Sequence, residues 1–322
     1  MIKLADSSQR EQKKATRAAL GTTLAELADE GLPVVAVDAD LTGSTTTSKF
    51  AAAKSEYADR LFNVGIAEQN MIDVAAGLSL AGNIAFTGSF AVFGIGRAYD
   101  QIRNTLCYSK LNVKLTPTHA GISVGPDGGS HQMLEDVALM RAVPNMRVLV
   151  PADYASARAA IRLAAKTEGP VYVRLGRAAV PCVYDDDVEL EIGRAYVVRE
   201  GSDVTIVANG VEIGQALLAA EMLAQEGISA EVIDAFSVKP LDSETILKSA
   251  QKTGRVVICE EHSINGGLCD AVAHLLAENR PLPCAFVGVK DRFGKSGEFE
   301  ELLGFFGLDA ASIVDSAKNL CK

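Results

Sequence analysis

Short apolar runs rich in β-branched residues alternate with alanine-rich stretches along nearly the whole chain, and that alternation limits the folds open to it. Pro33-Val-Val-Ala-Val-Asp38, Asn83-Ile-Ala-Phe-Thr87, Asn112-Val-Lys-Leu-Thr116, Met146-Arg-Val-Leu-Val150 and Val171-Tyr-Val-Arg-Leu175 read as strands. Ala67 to Ala81 and Tyr154 to Lys166 carry helical spacing between them. A strand inside a parallel sheet is covered on both faces, so it shows a continuous apolar run instead of period-two alternation. Parallel neighbours also need a crossover long enough to hold a helix. The pattern predicts an α/β chain of parallel sheets flanked by helices.

The alternation breaks once. Pro181-Cys-Val-Tyr-Asp-Asp-Asp-Val-Glu-Leu-Glu191 has a proline, an acidic run and little periodicity, and reads as a solvated linker over 181–192. Residues 1–180 form the first expected domain. Strands resume at Val204–Ala208, Ala230–Asp234, Val256–Cys259 and Ala285–Val289, with helices at Val211–Gln225, Asp242–Gln251 and Leu268–Glu278. They predict a second, smaller α/β domain over 193–322. Local signals place a first helix from Ser7 or Ser8 to about Ala28 and a cap at Asp153 for the helix from Tyr154. Gly82 is the stop of the helix that begins near Glu68.

Composition excludes several functions. Hydrophobic residues make up 48% of the 322 and charged residues 22%, which suits two packed cores and not a disordered chain. Net charge is −10, and no basic run exceeds Lys13-Lys14, so the basic face of a nucleic-acid binder is missing. No apolar run reaches the roughly 18 residues of a membrane span, and the N-terminus lacks a signal peptide's apolar core. The expected location is the cytoplasm, with neither nucleic acid nor membrane as partner. The six cysteines form no CxxC pair and have no metal-ligand spacing, so they read as buried reduced thiols. No metal site is expected on this chain.

Three segments carry chemistry. In Asn63-Val-Gly-Ile-Ala-Glu68-Gln-Asn-Met71 a strand-like run turns at Gly65 and enters an apolar helix, with Glu68 in its first turn. The helix dipole alone would explain a carboxylate there. Its apolar neighbours Ile66, Ala67, Ile72 and Val74 point instead to a desolvated carboxyl able to share a proton with a ring nitrogen. In Thr87-Gly-Ser-Phe90-Ala-Val-Phe93-Gly-Ile-Gly96, Phe90 and Phe93 are either core aromatics or a flat wall for a heteroaromatic ring. Thr118-His119-Ala-Gly-Ile-Ser-Val-Gly125-Pro-Asp127-Gly-Gly129-Ser-His131-Gln132 holds two of the chain's four histidines in a glycine-rich stretch after a strand. That is the ligand-binding edge of a parallel sheet.

Together, Gly65-Ile-Ala-Glu68-Gln, Ser89-Phe90-x-x-Phe93, Gly125-Pro-Asp127-Gly-Gly-Ser-His131-Gln, Val143-Pro-Asn-Met-Arg-Val-Leu-Val-Pro-Ala-Asp153 and Asp38-Ala-Asp40-Leu-Thr-Gly-Ser44 resemble the pyrimidine-binding domain of the transketolases. Ile258-Cys-Glu-Glu-His-Ser-Ile-Asn-Gly-Gly267 and Phe293-Gly-Lys-Ser-Gly297 resemble the family's C-terminal domain, so the resemblance covers the whole chain. It implies a thiamine diphosphate-dependent transfer of a two-carbon ketol unit between sugar phosphates. By the same resemblance Glu68 addresses N1′ of the cofactor's aminopyrimidine, Phe90 and Phe93 enclose that ring, and Asp40 belongs to the cofactor site. His131 and Asp127 then face hydroxyl groups near the reacting carbons, with His131 taking part in catalysis. His119, Arg17, Ser44 and Arg177 lie at the sugar phosphate. The family often has a further aromatic where Gly96 stands, and Tyr99 is the candidate substitute.

The family's diphosphate and Mg2+ are held by another domain that carries a Gly-Asp-Gly sequence, and none occurs here. The resemblance therefore implies the C-terminal half of a transketolase, either a natural split subunit or a fragment. The natural split subunit would work with an N-terminal partner subunit, with a dimer core and an α2β2 assembly. Two related families compete: the β subunit of a 2-oxo acid dehydrogenase, suggested by Asp100-Gln-Ile-Arg-Asn104, and 1-deoxyxylulose-5-phosphate synthase. The Asp127-to-His131 loop argues against the first, and His119 with the loop's length against the second. A non-catalytic regulatory subunit is the reading from another class.

Overall fold

The computed structural model describes residues 2–322. Two sheets organise it. The first has seven strands in the order Ser237–Lys239, Arg147–Leu149, Val171–Val173, Val113–Leu115, Ile84–Gly88, Val34–Asp38 and Leu61–Asn63. All run parallel except Ser237–Lys239. The second has five, in the order Cys284–Val289, Val256–Ser263, Val204–Ala208, Ala230–Asp234 and Tyr196–Arg199, the last antiparallel. The α/β class follows from the residues: Val34–Asp38, Val204–Ala208 and Ala230–Asp234 are buried at every position. Only strands covered on both faces can place such runs.

Helices fill the crossovers. Tyr154–Lys166 starts at Asp153, whose carboxylate accepts from the Ser156 amide at 2.8 Å, the expected cap. Its alanines let it lie close against Ala19–Asp29, while Arg158 and Arg162 reach Glu26 on that helix. Leu80 ends the helix from Glu68, with Gly82 at φ +92° just beyond, as the sequence signalled.

Two expectations are corrected. No helix runs from Ser7 to Ala28. Asp6 caps a short turn of helix at Ser7–Arg10, and Lys13–Ala15 is a strand paired antiparallel with Ala179–Pro181. Pairing with a distant edge overrides the local helical preference of that stretch. Nor is the start of 181–192 a loose connector. The Val183 and Tyr184 amides donate to Asp153 at 2.6 and 2.9 Å, and the buried Tyr184 hydroxyl reaches Asp234 at 2.6 Å. In the acidic stretch Asp186, Asp187, Glu189 and Glu191 are solvated, while Val188 and Leu190 between them are buried.

Asp153 thus caps a helix and anchors the segment between the sheets. Asp153→Ala removes the cap, worth about 1 kcal/mol, and leaves buried amides unpaired at about 1–3 kcal/mol each. Urea denaturation is expected to show a loss of about 3 kcal/mol or more; a loss below about 1 kcal/mol would mean that water replaces the carboxylate freely.

Candidate active site

All the candidate residues except Arg17, which lies in the turn Thr16–Ala18, follow the carboxyl ends of the first sheet's parallel strands. Arg177 follows Val171–Val173. His119, Asp127 and His131 follow Val113–Leu115. Phe90 and Phe93 follow Ile84–Gly88, Asp40 and Ser44 follow Val34–Asp38, and Glu68 follows Leu61–Asn63. Ligands bind parallel sheets at this edge because loops leave the strands there and backbone amides of helix starts face outward.

At one end, Glu68 opens its helix with no side-chain cap before it and is only 5% exposed. Its surroundings differ from the expectation in two ways. Ile66 points to solvent and does not enclose the carboxyl. Arg97 instead donates to Glu68 Oε1 at 3.0 Å, so the carboxylate is not an isolated desolvated group. The same guanidinium lies 4.4 Å above the Phe93 ring. Arg97, not Tyr99, therefore takes the position beside that ring; the Tyr99 hydroxyl meets the Leu139 carbonyl at 3.5 Å. A lone cation in a stretch of small and apolar residues was the available signal for Arg97.

In the middle, Phe90 and Phe93 stack with centroids 5.9 Å apart and planes 16° from parallel. His131 stands edge-on to Phe93 at 5.3 Å. His119 stacks on Phe90 at 3.7 Å, and its Nδ1 meets the Thr118 hydroxyl at 2.7 Å. The two rings are near-parallel, with one imidazole stacked on Phe90 and the other edge-on to Phe93.

At the far end, Arg17 donates to the Ser44 carbonyl at 2.7 Å and Arg177 to the Val124 carbonyl at 2.8 Å. Ser44 thus meets Arg17 through its backbone. Burial, then the nearby Arg177, pushes the Arg17 guanidinium below its ordinary value, while Asp127 opposes them. Burial first, then Arg17, Arg177 and His131, pushes His119 down to about 3. The imidazole is therefore neutral at neutral pH. Two repelling cations beside a neutral histidine form a site whose charge an anion would balance.

Asp40 stands somewhat apart. It is exposed at φ +65° and accepts from Asn63 at 3.1 Å. The residue that shapes its loop is Asp38, which accepts from the Leu41 amide and the Thr45 and Thr47 hydroxyls at 2.7, 2.7 and 2.9 Å. Among the described residues, no group of three His, Cys, Asp or Glu side chains is placed to hold a metal ion. His262 is buried, accepting at Nε2 from the Ala138 amide at 3.3 Å, and His274 pairs with Glu278 on a helix surface at 3.1 Å.

The neutral His119 has a consequence for stability. Its folded-state pKa of about 3 lies below the ordinary 6.5, so the unfolded chain takes up a proton that the folded chain refuses. The contribution is complete above pH 6.5 and is lost as pH falls toward 3. Between pH 7 and 5 this amounts to about 2 kcal/mol. Urea midpoints of wild type and His119→Asn at both pH values should show the variant losing less by that amount. Equal pH slopes would mean that His119 protonates in the folded chain.

Family models described as the transketolase pyrimidine-binding domain and the transketolase C-terminal domain match residues 12–183 and 193–313. The chain is 48% identical to a Methanocaldococcus jannaschii protein provisionally named a transketolase C-terminal section, over 94% of each. It is 37% identical to human transketolase over 96% of this chain, and spans 49% of that longer protein. A solved structure described as a split gene transketolase, inactive β4 tetramer, is 50% identical with a TM-score of 0.86, over 95% of this chain and 98% of that one. The chain belongs to the transketolase family and comprises its pyrimidine-binding and C-terminal domains.

Proposed function

We propose that this chain is one subunit of a two-chain, thiamine diphosphate-dependent transketolase: it activates the cofactor and contacts the sugar, while a separate N-terminal subunit holds the diphosphate and Mg2+. One observation carries the reading. A buried carboxylate beside stacked aromatics and a pair of arginines lie at opposite ends of one sheet edge, with His119 and His131 between them. The residues fit the cofactor's aminopyrimidine, a flat ring with a basic nitrogen. The diphosphate and its cation we assign to the partner subunit, because this sequence has no Gly-Asp-Gly segment.

When bound, thiamine diphosphate supplies the carbon nucleophile and electron sink for cleaving a ketose beside its carbonyl. The protein's part is to hold and orient. Phe90 and Phe93 fix the plane of the aminopyrimidine, Asp40 borders it, and Glu68 hydrogen-bonds its ring nitrogen. Arg97 engages only Oε1 of Glu68, which leaves Oε2 for that bond. His131 and Asp127 align the sugar hydroxyls near the reacting carbons. Neutral His119 contributes a hydrogen bond, and Arg17 and Arg177 supply the charge that holds the phosphate, with Ser44 alongside. The solved relative's description as an inactive β4 tetramer supports a chain that self-associates yet needs a partner. An α2β2 complex follows from two-fold symmetry. We place it in the cytoplasm: no helix among the described residues is long and apolar enough to cross a membrane, and the six cysteines are free.

Mixing the chain with the N-terminal subunit should create ketol transfer that neither shows alone; Mg2+-dependent transfer by this chain alone would refute the two-chain reading. In the complex, Glu68→Gln should fold normally and lose on the order of 10²-fold or more in turnover. Arg177→Ala should weaken phosphorylated sugars by about 10- to 150-fold while sparing an unphosphorylated donor. Equal losses on both would remove Arg177 from the phosphate site.

A further inference from the structure

The second domain supplies none of the candidate site residues, yet two of its segments grip the loop that bears Asp127 and His131. Gln132 closes that loop. Its buried side chain donates to the Ile122 and Gly125 carbonyls at 3.2 and 3.3 Å, tying the loop's end to its start. The same amide reaches across to the second domain. It donates to the Lys295 carbonyl at 2.9 Å and accepts from the Lys295 amide at 2.8 Å. This is the pairing of two strands made by one side chain, and it fixes both distance and rotation between the loops.

The backbones meet too closely for side chains. A Cβ on Gly294 would lie 1.8 Å from Gln132 Oε1, and one on Gly129 would lie 2.7 Å from the Gly294 carbonyl. At the loop's other end, Glu261 of the second domain accepts from the Ser123 amide, and a Cβ on Gly121 would strike its carboxyl. Arg177 bonds to Val124 within the gripped segment. So the loop's geometry, and that of one arginine, is referred to the second domain at both ends.

We infer that the second domain is a positioning element for sugar recognition, acting through the clip between Gln132 and the Lys295 backbone. The inference rests on the proposed sugar-binding role of Asp127, His131 and Arg177. Gln132 touches the loop and not the sugar, so it is a positioning residue. Loosening the clip should disturb the sugar end more than the cofactor end, because Glu68, Phe90 and Phe93 are built on other strands.

The test compares Gln132→Ala, Gly294→Ala and the control Lys295→Ala, whose backbone bonds survive. Two measurements are made. In the full chain alone, hydrogen exchange of the 122–132 amides should quicken about tenfold or more in the first two variants, with the strand Val204–Ala208 unchanged. In the complex with the partner subunit, those variants should raise KM for a phosphorylated ketose about tenfold, with thiamine diphosphate affinity within twofold of wild type. Lys295→Ala should match wild type in both. If Gly294→Ala does not fold, Gln132→Ala decides. Unchanged exchange and KM in a folded Gln132→Ala overturn the inference, and so does an equal loss of cofactor affinity, which would mark general destabilisation. If the wild-type complex shows no ketol transfer, the proposed function fails, while the exchange measurement still decides whether the clip holds the loop.

Discussion

The buried guanidinium of Arg174 is the point on which both domains and the loop between them depend. It donates to Asp136 at 2.8 Å in its own domain, and to the Glu261 carboxyl and carbonyl at 3.3 and 2.9 Å in the other. The Tyr172 hydroxyl donates to Asp136 as well. Burial drives Arg174 toward the neutral form, but Asp136 and then Glu261 outweigh it and hold its pKa above the ordinary value. Burial also raises Asp136, yet Arg174 and His262 bring it below the usual range. At Glu261 burial wins, and its pKa stays raised. Asp136 anchors the guanidinium within its own domain, and Glu261 carries the contact across the domain boundary. Such a group costs several kcal/mol to desolvate and is tolerable only with its bonds complete. The network selects one relative placement of the sheets more than it adds net stability.

That placement makes the clip at Gln132 possible. Arg174 lies just beyond Val171–Val173, and Asp136 opens the helix Asp136–Ala142 that follows the Asp127–His131 loop. The loop thus runs from the strand Val113–Leu115 to a fixed point at Asp136, with Glu261 and Lys295 of the second domain bonded to it. The order of the strands spreads the functional groups along a line, with Glu68 at one end, the stacked aromatics and histidines in the middle and Arg177 at the other. A sheet can set up such a gradient with short loops, because each strand delivers one loop to the same edge.

Much of this was legible in sequence for a physical reason. Val204–Ala208 and Ala230–Asp234 are buried on both faces, so their burial is written as unbroken apolar runs, and their bounds match. Glu68 at the head of a helix was equally plain, since the turn at Gly65 and the apolar run after it are local signals. Lys13–Ala15 was missed because it is short and partly exposed, and its pairing comes from a distant partner. Arg97 was missed for a related reason: nothing nearby in sequence announces that it meets Glu68. The chemistry of single residues is local, whereas ion pairs and the Gln132–Lys295 contact exist only after the chain has folded.

The strand Ser237–Lys239 belongs to the later part of the chain but completes the earlier sheet, lying against Arg147–Leu149. During synthesis the first sheet therefore waits with that edge bare while the stretch from Arg174 to Phe236 is still being made. An uncovered edge of a parallel sheet is a template for other strands, including those of neighbouring nascent chains. For this protein, the passage from ribosome to finished subunit holds a window of vulnerability that closes only after Lys239 has emerged, and a chaperone that shields the edge strand Arg147–Leu149 would be most useful in that interval.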